Sequence, residues 1–306
     1  MGETGRVVVI GDALIDELRD DTGVREFVGG AALNVAVGLS RLGLPTSLIA
    51  MVGDDEAGAH IRTYLDDYGV DLVATPSPLG SSRAVSTRVN GEPVYEFNAA
   101  AWDRRIRFGE DEVRAIRTAA IVVVTCFPFD DAEQTAELAA ALAGAPGRLA
   151  VDPNPRTGML HDRARFVDGF ERVAALADLV KVGDDDAELL YGESLDAVAA
   201  RLRDGGASAV LATRGAAGAT VLAEGVEVQR PIADAPGPVV DTMGAGDAVL
   251  SSAVASLLPG RPVSAEGWEQ LLATAMEVAA ATCRFEGALL RLPSALTGLD
   301  DGRTGS

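Results

Sequence analysis

Asp241-Thr242-Met243-Gly244-Ala245-Gly246-Asp247 stands between a β-type run at 237–240 and an apolar, small-residue run at 248–257. The segment therefore predicts strand, glycine-rich loop and helix in that order. Glycines at a loop-to-helix junction let backbone N–H groups converge, and the helix dipole adds positive potential there. The expected result is an anion hole with one carboxylate, Asp247, on its rim. For binding alone that carboxylate is counterproductive, because it repels a phosphate. It makes sense as a base that removes the proton from a hydroxyl attacking that phosphate. The plain alternative is an aspartate capping a helix in a glycine-rich turn.

Around this segment, short apolar runs alternate with helical patterns. Strands are expected at 7–10, 47–51, 121–124, 149–151, 179–182 and 209–212. Helices are expected at 31–42 and 56–68, stopped by Gly43 and Gly69, with alanine-rich helices between the later strands. Continuous apolar strands separated by helices mean a mostly parallel sheet covered on both faces. The rhythm breaks between 71 and 98, where runs at 84–89 and 94–97 flank Asn90-Gly91, a strong hairpin signal. An antiparallel insertion of this kind reads as a small β lid over chemistry that must exclude water. A decorative surface hairpin is the alternative. The polar, glycine-rich stretch 299–306 reads as a disordered tail.

The chain has 306 residues, suggesting about two domains or one large α/β domain with an insertion. Its 46 acidic and 26 basic side chains give a net charge of −20, which argues against binding nucleic acid or an anionic membrane. A small anion in a locally positive site remains compatible with that charge. No apolar run approaches the ~18 residues of a membrane span, and residues 1–10 do not look like a signal peptide. Cys126 and Cys283 are too few and too distant for a disulfide framework, so two buried free thiols in a reducing cytoplasm are expected. Lys181 is the only lysine.

A second cluster lies near the start of the chain. Asp16 follows the first strand, and Gly29-Gly30-Ala31-Ala32-Leu33-Asn34 opens the first long helix. Paired glycines allow close ligand approach, and short polar side chains on a rigid frame suit a polyol. A simple turn is the alternative. His60 and His161 have no metal-ligand company and read as solvated; Trp102 and Trp268 read as packing anchors. Gly11-Asp12-Ala13 lacks the spacing of a dinucleotide site, which disfavours a dehydrogenase.

Together these motifs resemble the ribokinase-like (phosphofructokinase-B type) carbohydrate kinases, in their fructokinase-like branch. Gly29, Gly30, Asn34, Ala36, Leu42 and Gly43 match one family signature, and Asp241 through Asp247 match the other in full. The resemblance implies a three-layer α/β/α domain over 1–298, with a β lid contributed mainly by 12–28 and 71–100. It implies Asp247 as catalytic base, with the N–H groups of Gly244, Ala245 and Gly246 on the transferring phosphoryl group. Asp16, Gly29, Gly30 and Asn34 would bind the sugar. Thr213, Gly215 and Gly218 match a turn that lies along the nucleotide. Asp152-Pro153-Asn154-Pro155-Arg156 is similar to a segment that puts Arg156 near sugar and phosphates. Cys283 and the Gly287-Ala288 turn would wall the adenine pocket. The implied cofactors are ATP, Mg2+ and K+, with Asp241 at the monovalent cation and a homodimer through the lid. One departure stands out. The family's Asn-x-x-Glu motif is replaced by Gly183-Asp184-Asp185-Asp186, so Asp186 takes the place of the Glu near Mg2+ while Gly183 supplies no side chain. Thr125-Cys126-Phe127-Pro128 also stands where many relatives have a Gly-Ser pair.

The resulting expectation is a cytoplasmic, ATP-dependent sugar kinase, with fructose first among acceptors and 2-keto-3-deoxygluconate or another sugar or nucleoside as alternatives. A catalytically silent sugar or nucleotide sensor is the rival from another class, and the intact Asp247 argues against it. Lys181 is expected to face nucleotide phosphates as a point charge, against the alternative of a surface lysine at a strand end. An acidic acceptor would need a positive partner, for which Arg156, Arg83 and Arg88 are the candidates. Asp16 favours neutral hydroxyls, so a neutral sugar is preferred.

Overall fold

β1 (Val7–Gly11) is buried at every position and lies within the main sheet of the computed structural model, which describes residues 5–20, 23–89 and 92–297. The chain continues through β2 (Leu14–Asp20), β3 (Gly23–Gly29), α1 (Ala31–Arg41), β4 (Thr46–Gly53), α2 (Glu56–Asp67) and β5 (Val70–Ser77). Next come β6 (Ser82–Val89), β7 (Glu92–Phe97), α3 (Ala99–Trp102), α4 (Glu110–Thr118), β8 (Ile121–Thr125), α5 (Ala132–Leu142) and β9 (Arg148–Asp152). The last part holds α6 (Arg163–Ala174), β10 (Leu179–Gly183), α7 (Asp184–Tyr191), α8 (Leu195–Asp204) and β11 (Ala209–Thr213). It ends with β12 (Ala219–Ala223), β13 (Val226–Arg230), α9 (Ala245–Leu257) and α10 (Ala265–Thr282).

Nine strands form one sheet in the order β13-β12-β11-β10-β9-β8-β1-β4-β5, parallel from β11 to β5 and antiparallel at β12 and β13. Side chains alternate between its faces, as the period-two pleat requires. Val7 and Val9 pack with α1, α2, α9 and α10, whereas Val8 and Ile10 pack with α4, α5, α6, α7 and α8. Helices therefore cover both faces of the sheet, in three layers.

A separate four-stranded sheet has the order β3-β2-β6-β7. Only two residues, Asp12 and Ala13, separate β1 from β2, so the small sheet begins at the carboxyl end of the main sheet's strands. The segment 71–77, expected in the lid, is instead the edge strand β5, paired parallel to β4 from Thr46–Val70 to Gly53–Ser77. The Asn90-Gly91 turn lies outside the described residues, as does the stretch 299–306. Helix α3 begins at Ala99, just past the stretch 71–98 in which no helix was expected. Asn98 explains it: its Oδ1 caps Ala101 N at 3.0 Å and accepts Arg83 N at 3.0 Å, while its Nδ2 donates to Ser81 O at 2.9 Å.

Residues 237–240 do not form the expected strand. Pro236 and Pro238 remove ladder donors, and Val239 and Val240 are 60% and 58% exposed. One bond, Val240 N to Cys283 O at 2.8 Å, ties the segment to the end of α10. Trp268 is the buried anchor expected, but Trp102 is 42% exposed and stacks on His161, whose Nε2 lies 2.8 Å from Trp102 O. Cys126 is buried, while Cys283 is only half-buried at the end of α10.

Candidate functional site

The carboxyl ends of β9, β10 and β11 converge on the N-terminus of α9. Gly244 caps that helix at φ 73, in the left-handed region. A side chain there is also excluded by space, since a Cβ would stand 2.6 Å from Ala288 Cα. Asp241 staples the loop to the same turn: Oδ1 accepts Met243 N at 2.9 Å and Oδ2 accepts Gly287 N at 3.0 Å. Of the expected anion donors, Ala245 N donates to Thr242 O at 3.2 Å, while Gly244 and Gly246 have no protein acceptor among the described residues. Those two N–H groups stand unbonded at the mouth of α9.

Asp247 sits in the first turn of α9, 7% exposed, and its Oδ2 accepts Asn34 Nδ2 at 2.9 Å. Close packing of α1 on α9 makes this contact. A Cβ on Gly38 would lie 2.7 Å from Ser251 Oγ, and that hydroxyl donates to Asp247 O at 2.7 Å and to Val35 O at 3.3 Å. Burial pushes the Asp247 carboxyl up to about 7, against the hydrogen bond from Asn34 and the charges of Lys181 and Arg156, which pull it down. A carboxylate in that range can take a proton near neutral pH.

Lys181 is not a surface residue. Its Nζ donates to Asp152 Oδ2 at 2.8 Å in a buried pair joining β10 to β9. Nζ also stands 3.5 Å from the place of a Cβ on Gly246, which brings its charge to the mouth of α9. Burial alone would lower the Lys181 pKa, but Asp152, Asp186 and Asp247 outweigh it and hold the amine charged. The other oxygen of Asp152, Oδ1, is buried without a hydrogen-bond partner. Asp186 turns back on its own helix, with Oδ2 accepting Gly183 N at 2.7 Å, and burial pushes it up against the pull of Lys181.

These residues border a cavity of about 480 Å³, whose walls include Arg156, Lys181, Asp186, Thr213, Gly215, Gly244, Gly246 and Asp247. Asn154, at φ 37 just past β9, also lines it, as do Asp184, Arg214, Thr242 and Met243. Gly218 does not line the cavity. At φ 94 it folds its turn against Arg230 O and Pro231 Cα, a shaping position. Asp16, Gly29, Gly30 and Asn34 form the adjoining end, tied to the cavity through the Asn34–Asp247 bond. Burial pushes Asp16 up to about 6, Asp12 adds to the shift and Arg156 opposes it. Arg83 does not offer a free positive charge to this end: it bonds Glu26 at 2.6 Å and Glu17 at 3.4 Å on the small sheet. The side chain of Arg88 lies outside the described residues.

The motif that contains Asp152 carries no sign of its pairing with Lys181, and Arg104, 8% exposed with its Nη1 on Met159 O at 3.3 Å, is a buried cation that the sequence does not mark. The signal for Asp152 is its place directly after the continuous apolar run 149–151, which carries it into the buried end of β9. Nothing in Asp103-Arg104-Arg105-Ile106 distinguishes the buried arginine from its exposed neighbour.

A model described as the pfkB family carbohydrate kinase matches residues 4–295. The fructokinase of Rhizobium leguminosarum bv. trifolii is 32% identical over 267 residues, covering 82% of this chain and 79% of its own. The aminoimidazole riboside kinase from Salmonella enterica, solved with aminoimidazole riboside and an ATP analog, has a TM-score of 0.81 at 25% identity, covering 96% of this chain and 99% of that one. A double mutant of the Vibrio cholerae fructokinase, solved in fructose, ADP and potassium ion bound form, has a TM-score of 0.80 at 23% identity, covering 97% and 98%.

Proposed function

This chain belongs to the pfkB family of carbohydrate kinases and is an ATP-dependent sugar kinase; we propose that it phosphorylates a primary hydroxyl of a neutral sugar, fructose first. The observation that carries the reading is Asp247. A buried carboxylate with a pKa raised to about 7 stands at a helix N-terminus where the N–H groups of Gly244 and Gly246 have no protein acceptor among the described residues and can hold an anion. In this reading Asp247 takes the proton from the acceptor hydroxyl as it attacks the γ-phosphorus in line. Gly244, Ala245 and Gly246 form the anion hole, of which Gly244 and Gly246 have their N–H groups free, and Lys181 adds positive charge beside it. Most of the acceleration comes from positioning and electrostatics.

Asp16, Gly29, Gly30 and Asn34 hold the sugar, with Arg156 between sugar and phosphates. Thr213 and Gly215 line the nucleotide side, and Gly218 shapes their turn. The free oxygen of Asp186 fits a water-mediated contact to Mg2+, and no cluster of three metal-ligating side chains exists among the described residues. That fits a metal held mainly by phosphates. Bound there, Mg2+ would neutralise charge developing on the transferred group. Asp241 keeps a lone pair on each oxygen beyond its two backbone donors, which fits a monovalent cation. The fructokinase and the riboside kinase named above bind a sugar or riboside together with a nucleotide, as this reading requires.

Among the described residues no helix is long and apolar enough to cross a membrane. A cytoplasmic enzyme is the reading that two free cysteines favour. Val24 and Phe27, 61% and 48% exposed on β3, support a homodimer through the small sheet. A panel of acceptors with Mg-ATP tests the substrate. Sugar-dependent ADP release with fructose is expected; a preference for 2-keto-3-deoxygluconate would overturn the fructose assignment, and no release with any acceptor would favour a silent sensor.

A further inference from the structure

Beyond the sugar cluster, a small slot opens beside Asp12. Its volume is about 10 Å³, and its walls include Gly11 of β1, Asp12, Ser82 of β6, Cys126 after β8, and Arg104. A cavity of that size holds roughly one water-sized group.

Arg104 is the unusual wall. It is 8% exposed, and its Nη1 reaches only two carbonyls, Met159 O at 3.3 Å and Ala101 O at 3.5 Å. Its Nε is buried without a hydrogen-bond partner, and no carboxylate among the described residues pairs with it. A buried guanidinium left in this state is costly, so a partner that completes its bonding is expected. Its backbone is nonetheless held firmly. Gln134, 2% exposed, donates from Nε2 to Arg104 O at 3.1 Å and accepts Ile106 N at 2.9 Å through Oε1.

Asp12 connects the slot to the sugar cluster. Its Oδ1 accepts Ala32 N at 2.9 Å and its carbonyl accepts Leu33 N at 3.2 Å, at the opening of α1 that carries Asn34. Cys126 shares the wall of the slot with Asp12 and Arg104.

We propose that Asp12 and Arg104 form a specificity slot that receives one uncharged hydroxyl of the acceptor, at the end remote from the transferred phosphoryl group. The proposal rests on the kinase reading above. A hydroxyl donates to Asp12 and accepts from Arg104, and one oxygen fills the space. A carboxylate or phosphate brings more oxygens than the slot holds and sets negative charge against Asp12 and Asp16. The slot therefore selects neutral sugars, and Arg104 is a specificity-determining residue.

The test is a two-step assay with Mg-ATP. D-fructose, D-ribose, 2-keto-3-deoxygluconate and fructose 6-phosphate are compared first. The best neutral acceptor and its monodeoxy analogues are then measured with the native enzyme, Arg104→Met and Asp12→Asn. The native enzyme is expected to lose at least about tenfold in kcat/KM on one deoxy analogue, because a missing hydroxyl leaves buried partners unpaired. Arg104→Met should raise KM for the parent sugar, leave KM for ATP unchanged, and equalise the parent with that one analogue while the other ratios stand. Asp12→Asn should narrow the same ratio, and decides the matter if Arg104→Met does not fold. Unchanged ratios in both variants, or a best acceptor that is an acid or a phosphate, overturn the slot and leave the kinase standing. No turnover with any acceptor overturns the kinase reading and the slot with it.

Discussion

Asn34 on α1 donates from Nδ2 to Oδ2 of Asp247 on α9 at 2.9 Å, joining the two glycine motifs across 213 residues of sequence. The bond stabilises the charged form of Asp247 and so holds down a pKa that burial raises. Asn34→Leu removes the donor. The acid limb of the kcat/KM–pH profile should move to higher pH, since a larger fraction of Asp247 is then protonated at a given pH. An unmoved limb would mean that Asp247 is not the group being titrated.

The same bond depends on how closely α1 approaches α9. A methyl on Gly38 would meet Ser251 Oγ at 2.7 Å. Gly38→Ala should destabilise by about 1–3 kcal/mol through overpacking, and lower kcat by displacing Asn34. Gly38→Ala combined with Ser251→Ala should recover part of both losses in denaturant unfolding and in turnover. A double variant no better than the single one would contradict this packing account.

The Lys181–Asp152 pair is a liability that can be measured. Lys181→Met leaves Asp152 charged and buried with neither oxygen bonded by a side chain, and should cost about 3–5 kcal/mol in urea unfolding. Lys181→Met combined with Asp152→Leu removes both charges and should restore most of that stability while activity stays low. Persistent instability in the double variant would show that the pair stabilises by more than mutual compensation.

Much of this arrangement is legible in the sequence because the apolar runs are continuous. A strand such as 121–124 admits no polar face, so it must be covered on both sides, and the three layers follow. The Asp241–Asp247 motif is equally legible, since Gly244 is required both by its positive φ and by close contact with Ala288. The edge strand β5 is less so. Its pattern mixes exposed Asp71 with half-buried Leu72 and Val73, and nothing local assigns it to the large sheet rather than the small one. Residues 237–240 have the valines of a strand, yet prolines and exposure deny them a ladder. The Lys181 pairing and the buried Arg104 depend on neighbours far away in sequence, which no periodicity records.

Raised carboxyl pKa values also set the pH dependence of stability. Asp247 at about 7 and Asp16 at about 6 lie above the ordinary 3.8 that they regain on unfolding. The folded state thus binds more protons between about pH 4 and pH 7, and stability falls as pH rises through that window. Asp247→Asn cannot charge. Its Tm should exceed that of the native enzyme at pH 8, and the gap should close near pH 5, where Asp247 is already protonated. Differential scanning fluorimetry at both pH values decides it, and a gap independent of pH would contradict the assigned pKa.

The most direct measurement is ADP release by Asp247→Asn, with Mg-ATP and the best sugar, beside sugar binding by calorimetry on the same protein. Loss of the base should cut turnover by about 10²–10⁴-fold while sugar affinity changes little. Equal turnover by the two proteins would remove Asp247 from the chemistry and contradict the account at its centre.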